Sequence, residues 1–436
     1  MTTTAESNRY RTTVLAFAVV AVGALVYRAA LSTYFFNDDF QWLLAAKSFS
    51  WSNWLNPAAR DHFFRPLPEL YFVAARLAWD HSAPWFHLAS VTVHLVNACL
   101  VWRVATLLGR RRLFGFAALC FIVQPGCADA VTWVCSISTV LAGTFYLTAV
   151  WFHARFVETR KPRWAALAVA SFAGCLASHE SSVMLLPLLY LVECVQAGRL
   201  PWPWERQGRT RIFTKYVPYV VLLSAYIAVE YFVNARNYVV TEGHYAPGFH
   251  VFKNLLTYLI GLHLGLHSTT GRVLVVAAIA MLLGLGSGRV RFYTLWILLT
   301  LVPASFFTWG TAGRYQYLAA IGLSLLLAEA GVFTFDRLRP LVRQRLAGVA
   351  AIVLMGLIVA RSGVFAEKAV RTFQRTAEPY RRFLVEFQRE HPSRPSGLVD
   401  INRPVPAGLS PVYLEAALQL VYDDPTIRLA FWPPER

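Results

Sequence analysis

Charge is scarce in this chain: Asp, Glu, Lys and Arg make up 15% of its 436 residues, where a soluble domain carries about 25%. Acid is the scarcer sign, with 24 Asp and Glu against 41 Lys and Arg. There is no Cys-x-x-Cys pair, so Cys99, Cys120, Cys127, Cys135, Cys175 and Cys194 read as buried free thiols in apolar surroundings. A Cys127–Cys135 disulfide is the alternative. No internal repeat and no low-complexity run interrupts the sequence. The first apolar stretch, roughly Val14 to Leu31, lacks a small-residue cleavage site and exceeds a signal-peptide core. It reads as an uncleaved span. What the chain has in quantity is apolar residues, 56% of the total, with a mean hydropathy of +0.45. The composition is that of a polytopic membrane protein.

The net charge of +17 is unevenly spread. Segments 1–12, 103–112, 155–163, 199–215, 289–291 and 337–345 hold 21 Lys and Arg in 60 residues. Segments 32–86, 127–132, 179–181, 237–271 and 309–314 hold 6 in 105. By the positive-inside rule the first set is cytoplasmic, as is the amino terminus. The basic excess therefore reports topology and contact with anionic lipid, not nucleic-acid binding. Spans of about 20 apolar residues fall near 13–32, 87–108, 113–127, 132–153, 164–178 and 181–198. Five more fall near 216–235, 272–288, 292–308, 317–334 and 346–361, which makes about eleven. The apolar stretch 250–268 is assigned to a re-entrant or outer-leaflet helix, because an even number of crossings must join the flanking basic segments.

Residues 33–86 form a first outer loop in which Trp42, Trp51, Trp54, Trp79 and Trp85 suit helices lying in the interface plane. Residues 1–361 read as the membrane domain and 362–436 as a small α/β tail. In the tail an amphipathic helix precedes strands near 397–401 and 426–431 that flank a helix at 413–422. An odd span count places this tail outside the cytoplasm. The expected fold is thus all-α and polytopic, with a small extracytoplasmic α/β tail.

Ionisable groups at membrane-segment ends mark candidate sites. Asp38 and Asp39 follow the first span; neighbours on a helix diverge by about 100°, so one can take a proton while the other binds. Arg65 lies in the same loop, His179 and Glu180 at an outer turn, and Arg314, Tyr315 and Tyr317 at the outer start of a later span. Arg presents a planar fork of donors suited to phosphate, and a carboxylate can serve as general base toward a hydroxyl. The bland alternatives are a solvated loop for the Asp pair and headgroup anchoring for Arg65. Belt aromatics would account for Tyr315 and Tyr317, and a helix cap for Glu180. His87 and His94 share a helix face, and His263 and His267 stand at i, i+4, where packed or interfacial histidines are the plainer account.

Asn37-Asp38-Asp39-Phe40, Phe64-Arg65-Pro66-Leu67 and Phe86-His87-Leu88 through His94-Leu95-Val96-Asn97 resemble the opening of GT-C membrane glycosyltransferases. The pattern is similar to that of protein O-mannosyltransferases and bacterial relatives of the transmembrane-and-TPR mannosyltransferases. Ser178-His179-Glu180-Ser181 stands where those relatives carry Lys-Glu, and Arg314-Tyr315-Gln316-Tyr317-Leu318 resembles their Arg-Tyr-x-Tyr-Leu segment. The resemblance covers roughly residues 13–335, and no TPR array follows. It implies an inverting hexosyltransferase with a polyprenyl-phosphate-linked sugar, mannose being one candidate, as donor. The acceptor is then a glycan, lipid or protein hydroxyl. By the same resemblance Asp38 or Asp39 is the base, Arg65 and Arg314 hold the lipid phosphate, and His179, Glu180, Tyr315 and Tyr317 contact substrate. Some GT-C enzymes use a divalent metal, which the sequence leaves open. A bacterial inner membrane is the expected location. The rival functions are a lipid or solute transporter or flippase, a polyprenyl-diphosphate glycan ligase or polymerase, and a receptor whose tail binds a partner.

Overall fold

The structure, a computed structural model, describes residues 2–59, 62–109, 115–198, 209–263, 268–393, 395–401 and 408–431. The first helices are α1 (Thr2–Tyr27), α2 (Asp38–Lys47), α3 (Trp51–Trp54), α4 (Pro66–Trp79) and α5 (Ala83–Gly109). Then come α6 (Phe116–Ile122), α7 (Pro125–Thr132), α8 (Ile137–Thr159), α9 (Pro162–Leu176) and α10 (Leu185–Ala197). They are followed by α11 (Arg209–Asn234), α12 (Tyr238–Thr241), α13 (His250–His263) and α14 (Thr269–Leu285). The last are α15 (Gly288–Ser305), α16 (Tyr317–Leu338), α17 (Gln344–Glu390) and α18 (Pro411–Tyr422).

Seven helical segments among the described residues are long and apolar enough to cross a bilayer. They are Thr13–Ser32, Ala83–Gly109, Val134–Thr159, Glu180–Ala197, Lys215–Asn234, Gly313–Leu338 and part of Gln344–Glu390. The chain is an integral membrane protein. Seven falls short of the expected eleven for local reasons. The segment expected near 113–127 is two short helices, α6 and α7, parted at Val123 and Gln124 where Pro125 takes the first position of α7. The segment near 164–178 is α9, 15 residues long, and α15 opens with Arg289 and Arg291.

Helix α8 runs through the middle of the bundle, with Val140, Ala142, Tyr146, Ala149 and Val150 fully enclosed. Between helices in lipid there is little hydrophobic drive, so small residues that admit close backbones carry the packing. Gly143 shows this: a Cβ there would stand 2.6 Å from the Tyr317 ring. The Trp296 indole donates to Leu318 O at 3.0 Å and ties α15 to α16.

The loop after the first span folds as expected into short helices. Arg65 precedes Pro66, which keeps Arg65 out of the helical region (φ −129°, ψ +65°) and starts α4. Pro68, Phe72 and Ala75 form the buried face of α4 at spacings of four and three, and Leu77 faces out. The apolar stretch near 250–268 contains α13, of 14 residues, too short to cross; His267 and the side chain of His263 lie outside the described residues.

Helix α17 is 47 residues long, about 70 Å at 1.5 Å per residue, and passes position 361 without a break. Membrane section and tail thus share one helix. Its far end buries Val370, Ala377, Tyr380, Leu384 and Phe387. Strand β1 (Leu398–Ile401) pairs in parallel with β2 (Arg428–Phe431), Leu398 opposite Arg428 and Ile401 opposite Phe431. A parallel pair requires a crossover, and α18 supplies it, close to the expected strand–helix–strand order. Helix α18 packs against α2.

Candidate active site

The chain turns at Asn37 with φ +46° and ψ −117°, a strained conformation for a residue with a side chain. The Tyr380 hydroxyl donates to Asn37 Oδ1 and holds the turn. Helix α2 begins at once, with Asp38 and Asp39 in its first turn, where the helix dipole favours carboxylates. The two acids then part company. Asp39 is buried; its Oδ2 accepts from Phe36 N at 2.9 Å and its Oδ1 from Cys135 N at 2.7 Å. It fastens the head of α2 to the turn before α8. Burial pushes this carboxyl up to about 8, and the two amide donors pull it back only in part. Asp38 is half-buried and within electrostatic reach of Tyr413 of α18 and of Arg314.

Arg65 reaches Glu180 across the fold because Leu67 N donates to Ala177 O at 3.1 Å, joining the start of α4 to the end of α9. Arg65 Nε and Nη2 donate to the two Glu180 oxygens at 2.9 and 2.8 Å, a two-pronged pair. Two of its donors are thus committed to Glu180. His179 Nδ1 accepts from Ser181 N at 3.2 Å, which places the ring proton on Nε2. Burial lowers this imidazole to about 4, against the pull of Glu180. His179 is therefore neutral at physiological pH.

Arg314 lies 4.6 Å from the Trp133 ring centre and 4.7 Å from that of Tyr315. Its Nη2 donates to the Tyr315 hydroxyl at 3.2 Å. Beside it Asp129 lies against Gly313. A Cβ on Gly313 would stand 2.3 Å from Asp129 Oδ2, so this close approach requires glycine. Burial raises the Asp129 carboxyl while Arg314 and the Gly313 amide lower it. Asp38, Asp39, Arg65 and Arg314 all lie within electrostatic reach of Cys135, in the turn before α8. Tyr315 adjoins it, with its ring 6.5 Å from His179.

Tyr317 does not join them. It is fully enclosed, and its hydroxyl accepts from Asn97 Nδ2 at 2.9 Å and meets His94 Nδ1 at 2.9 Å. His94 in turn meets the Tyr27 hydroxyl at 3.3 Å, so it is a packed histidine. His87 is buried as well. All six cysteines are free thiols, Cys127 and Cys135 included. Among the described residues no three His, Cys, Asp or Glu side chains gather so as to hold a metal ion.

Four contributors are absent from the sequence reading. Asp129 and Glu230 were findable, each being a lone acid in an apolar run. Glu230 accepts from Phe64 N at 3.1 Å and from the Tyr226 hydroxyl at 2.7 Å, steadying the backbone beside Arg65. Tyr380 and Tyr413 carry no such signal, since only the docking of the tail brings them to α2.

No family model matches the chain, and no curated protein sequence does. Solved structures do. ArnT from Cupriavidus metallidurans, bound to undecaprenyl phosphate, superposes with a TM-score of 0.57 at 14% identity, over 95% of this chain and 85% of that one. Its apo form gives 0.53 at 14% identity, over 97% and 86%. The Archaeoglobus fulgidus oligosaccharyltransferase, in complex with Zn and sulfate, gives 0.50 at 11% identity, over 95% and 62%. The chain has the GT-C fold of integral-membrane glycosyltransferases.

Proposed function

We infer that this protein is a glycosyltransferase that moves a sugar from a polyprenyl-phosphate donor to an acceptor hydroxyl at the outer membrane face. One observation carries the reading: Asp38, Arg314 and the Arg65–Glu180 pair converge around Cys135 at one end of a GT-C bundle. In this scheme the acceptor oxygen attacks the anomeric carbon and Asp38 takes its proton. The bond from that carbon to the lipid phosphate breaks, and the configuration inverts. Charge develops on the departing phosphate, where a guanidinium in a partly dry site stabilises it most. Arg314 suits that part, since Tyr315 is its one hydrogen-bond partner among the described residues. Asp39 does not suit the base, with both oxygens occupied. Arg65 and Glu180 shape the wall against the sugar, and the Arg65 guanidinium supplements Arg314.

A groove of about 460 Å³ between α17 and α7, lined by Phe365, Ala369 and Phe373 with Lys368 and Asp129, offers the lipid a path to Arg314. Undecaprenyl phosphate in the ArnT structure and dolichol phosphate in an Archaeoglobus fulgidus oligosaccharyltransferase structure support a lipid-phosphate donor. The charge asymmetry supports a cytoplasmic amino terminus with site and tail outside. A transporter fits less well, because its binding groups belong near the midplane.

The test is donor affinity. Replacing Arg314 with Ala removes a charge-assisted partner worth about 1.5–3 kcal/mol, so binding of polyprenyl phosphate to purified protein should weaken by roughly 10–150-fold. Asp38→Asn should leave it within about two-fold. Undiminished affinity in Arg314→Ala would remove the phosphate from this position.

A further inference from the structure

The loop after α12 and the loop after α15 meet beside Arg314. Ala246 N donates to Phe306 O at 3.2 Å and Thr308 N to His244 O at 2.9 Å, so the two run antiparallel, bridged at Tyr245 and Phe307. Asn254 Nδ2 of α13 donates to Ser305 O at 3.1 Å and to Phe307 O at 2.7 Å, and the Tyr245 hydroxyl donates to Pro303 O at 3.0 Å. Gly243 and Gly310 flank the pairing at φ +73° and +103°, backbone that favours glycine. This bonding fixes a row of rings. Phe307, which is buried, stacks on Trp309 at 4.7 Å and 15° and on Tyr315 at 5.1 Å and 21°. Rings that both lie nearly parallel to a third at stacking distance take its opposite faces, so Phe307 is held between them. Arg314 lies over Tyr315 at 4.7 Å and closes the inner end of the row. At the outer end Trp309 stays 49% exposed, with the His244 ring 5.5 Å away. His244 Nε2 meets Glu242 Oε2 at 3.2 Å, and both side chains are exposed.

We propose that Trp309, with His244 and Glu242, is a platform for a sugar ring of the acceptor, which makes the acceptor a glycan. The inference rests on the reading of the protein as a polyprenyl-phosphate-dependent glycosyltransferase. A pyranose has a flat C–H face and a rim of hydroxyls. The electron-rich face of an indole suits the first, and an imidazole–carboxylate pair, donor and acceptor together, suits the second. An acyl chain would engage the indole and have no use for the pair. Position assigns the sugar to the acceptor. A donor sugar is bonded to its phosphate, so with that phosphate at Arg314 it lies on the Tyr315 side of Phe307. Trp309 stands on the other side.

The test uses the full chain in phosphatidylcholine nanodiscs, because glycoside detergents would themselves offer sugars to the platform. Gluco-, galacto- and manno-oligosaccharides and a Ser/Thr-containing peptide are titrated as probes, then supplied as acceptors with a polyprenyl-phosphate sugar. An oligosaccharide should bind and accept the sugar, and the peptide should do neither. Trp309→Ala should weaken that binding and raise acceptor KM about ten-fold, with donor KM within about two-fold. Trp309→Phe keeps a ring on Phe307 and guards against misfolding; it should stay within about three-fold of the unmodified protein. Binding by no oligosaccharide, transfer to the peptide, or unchanged acceptor KM in Trp309→Ala would overturn the proposal. A raised donor KM in its place would give the platform to the donor sugar and overturn the acceptor assignment. The two readings fail separately. If polyprenyl phosphate binds and transfer proceeds with Trp309→Ala unaltered, the platform fails alone. If an oligosaccharide binds through Trp309 and polyprenyl phosphate does not bind at all, the transferase reading fails and the carbohydrate site stands.

Discussion

Removing the Asp39 carboxylate would leave the buried amides of Phe36 and Cys135 without an acceptor. At about 1–3 kcal/mol each, Asp39→Ala should cost roughly 2–6 kcal/mol, read as a lowered unfolding midpoint in detergent. A midpoint equal to that of the unmodified protein would mean the α2–α8 link is dispensable. His179 gives a pH effect of definite sign. Its folded value near 4 lies below the ordinary 6.5, so the unfolded chain binds more protons between those values and stability falls as pH drops through that window. The loss reaches about 2 kcal/mol by pH 5. Unfolding midpoints at pH 7.5 and 5 should therefore drop further in the unmodified protein than in His179→Asn; equal drops would contradict a buried neutral imidazole. Residue types were legible at this scale. The division of labour between Asp38 and Asp39 was not, because it depends on the Cys135 amide, 96 positions away.

Elements decide which residues can meet at all. Tyr317 resembled a substrate contact by its place beside Arg314, yet the turn of α16 carries it into the junction with α5 and α8. A Cβ at Gly143 would press on that ring and on Asn97 Nδ2 at 3.2 Å. Overpacking of this kind costs about 1–3 kcal/mol, so Gly143→Ala should lower the unfolding midpoint while leaving donor KM unchanged. A raised KM with an unchanged midpoint would return Tyr317 to the substrate. Hydropathy located the long helices well, since each carries its own apolar run. It overcounted where Pro125 divides a run into α6 and α7, and where α9 has only 15 residues. The strand–helix–strand order of the tail was readable from alternation and turn residues. Its docking on α2 was not, because a buried apolar face does not name its partner.

At the scale of the whole molecule, three stretches far apart in sequence meet at one end of the bundle: the head of α2, the α9–α10 turn and the head of α16. The basic asymmetry led to the expectation that they share a side, and the motif order made the GT-C fold an expectation that the solved structures bear out. Substrate identity has no such signature, since it depends on pocket shape. The most direct measurement is sugar transfer by purified Asp38→Asn from a polyprenyl-phosphate donor. The account predicts a loss of at least about 100-fold in kcat, with the unfolding midpoint and donor affinity of the unmodified protein. Transfer at the unmodified rate would contradict it.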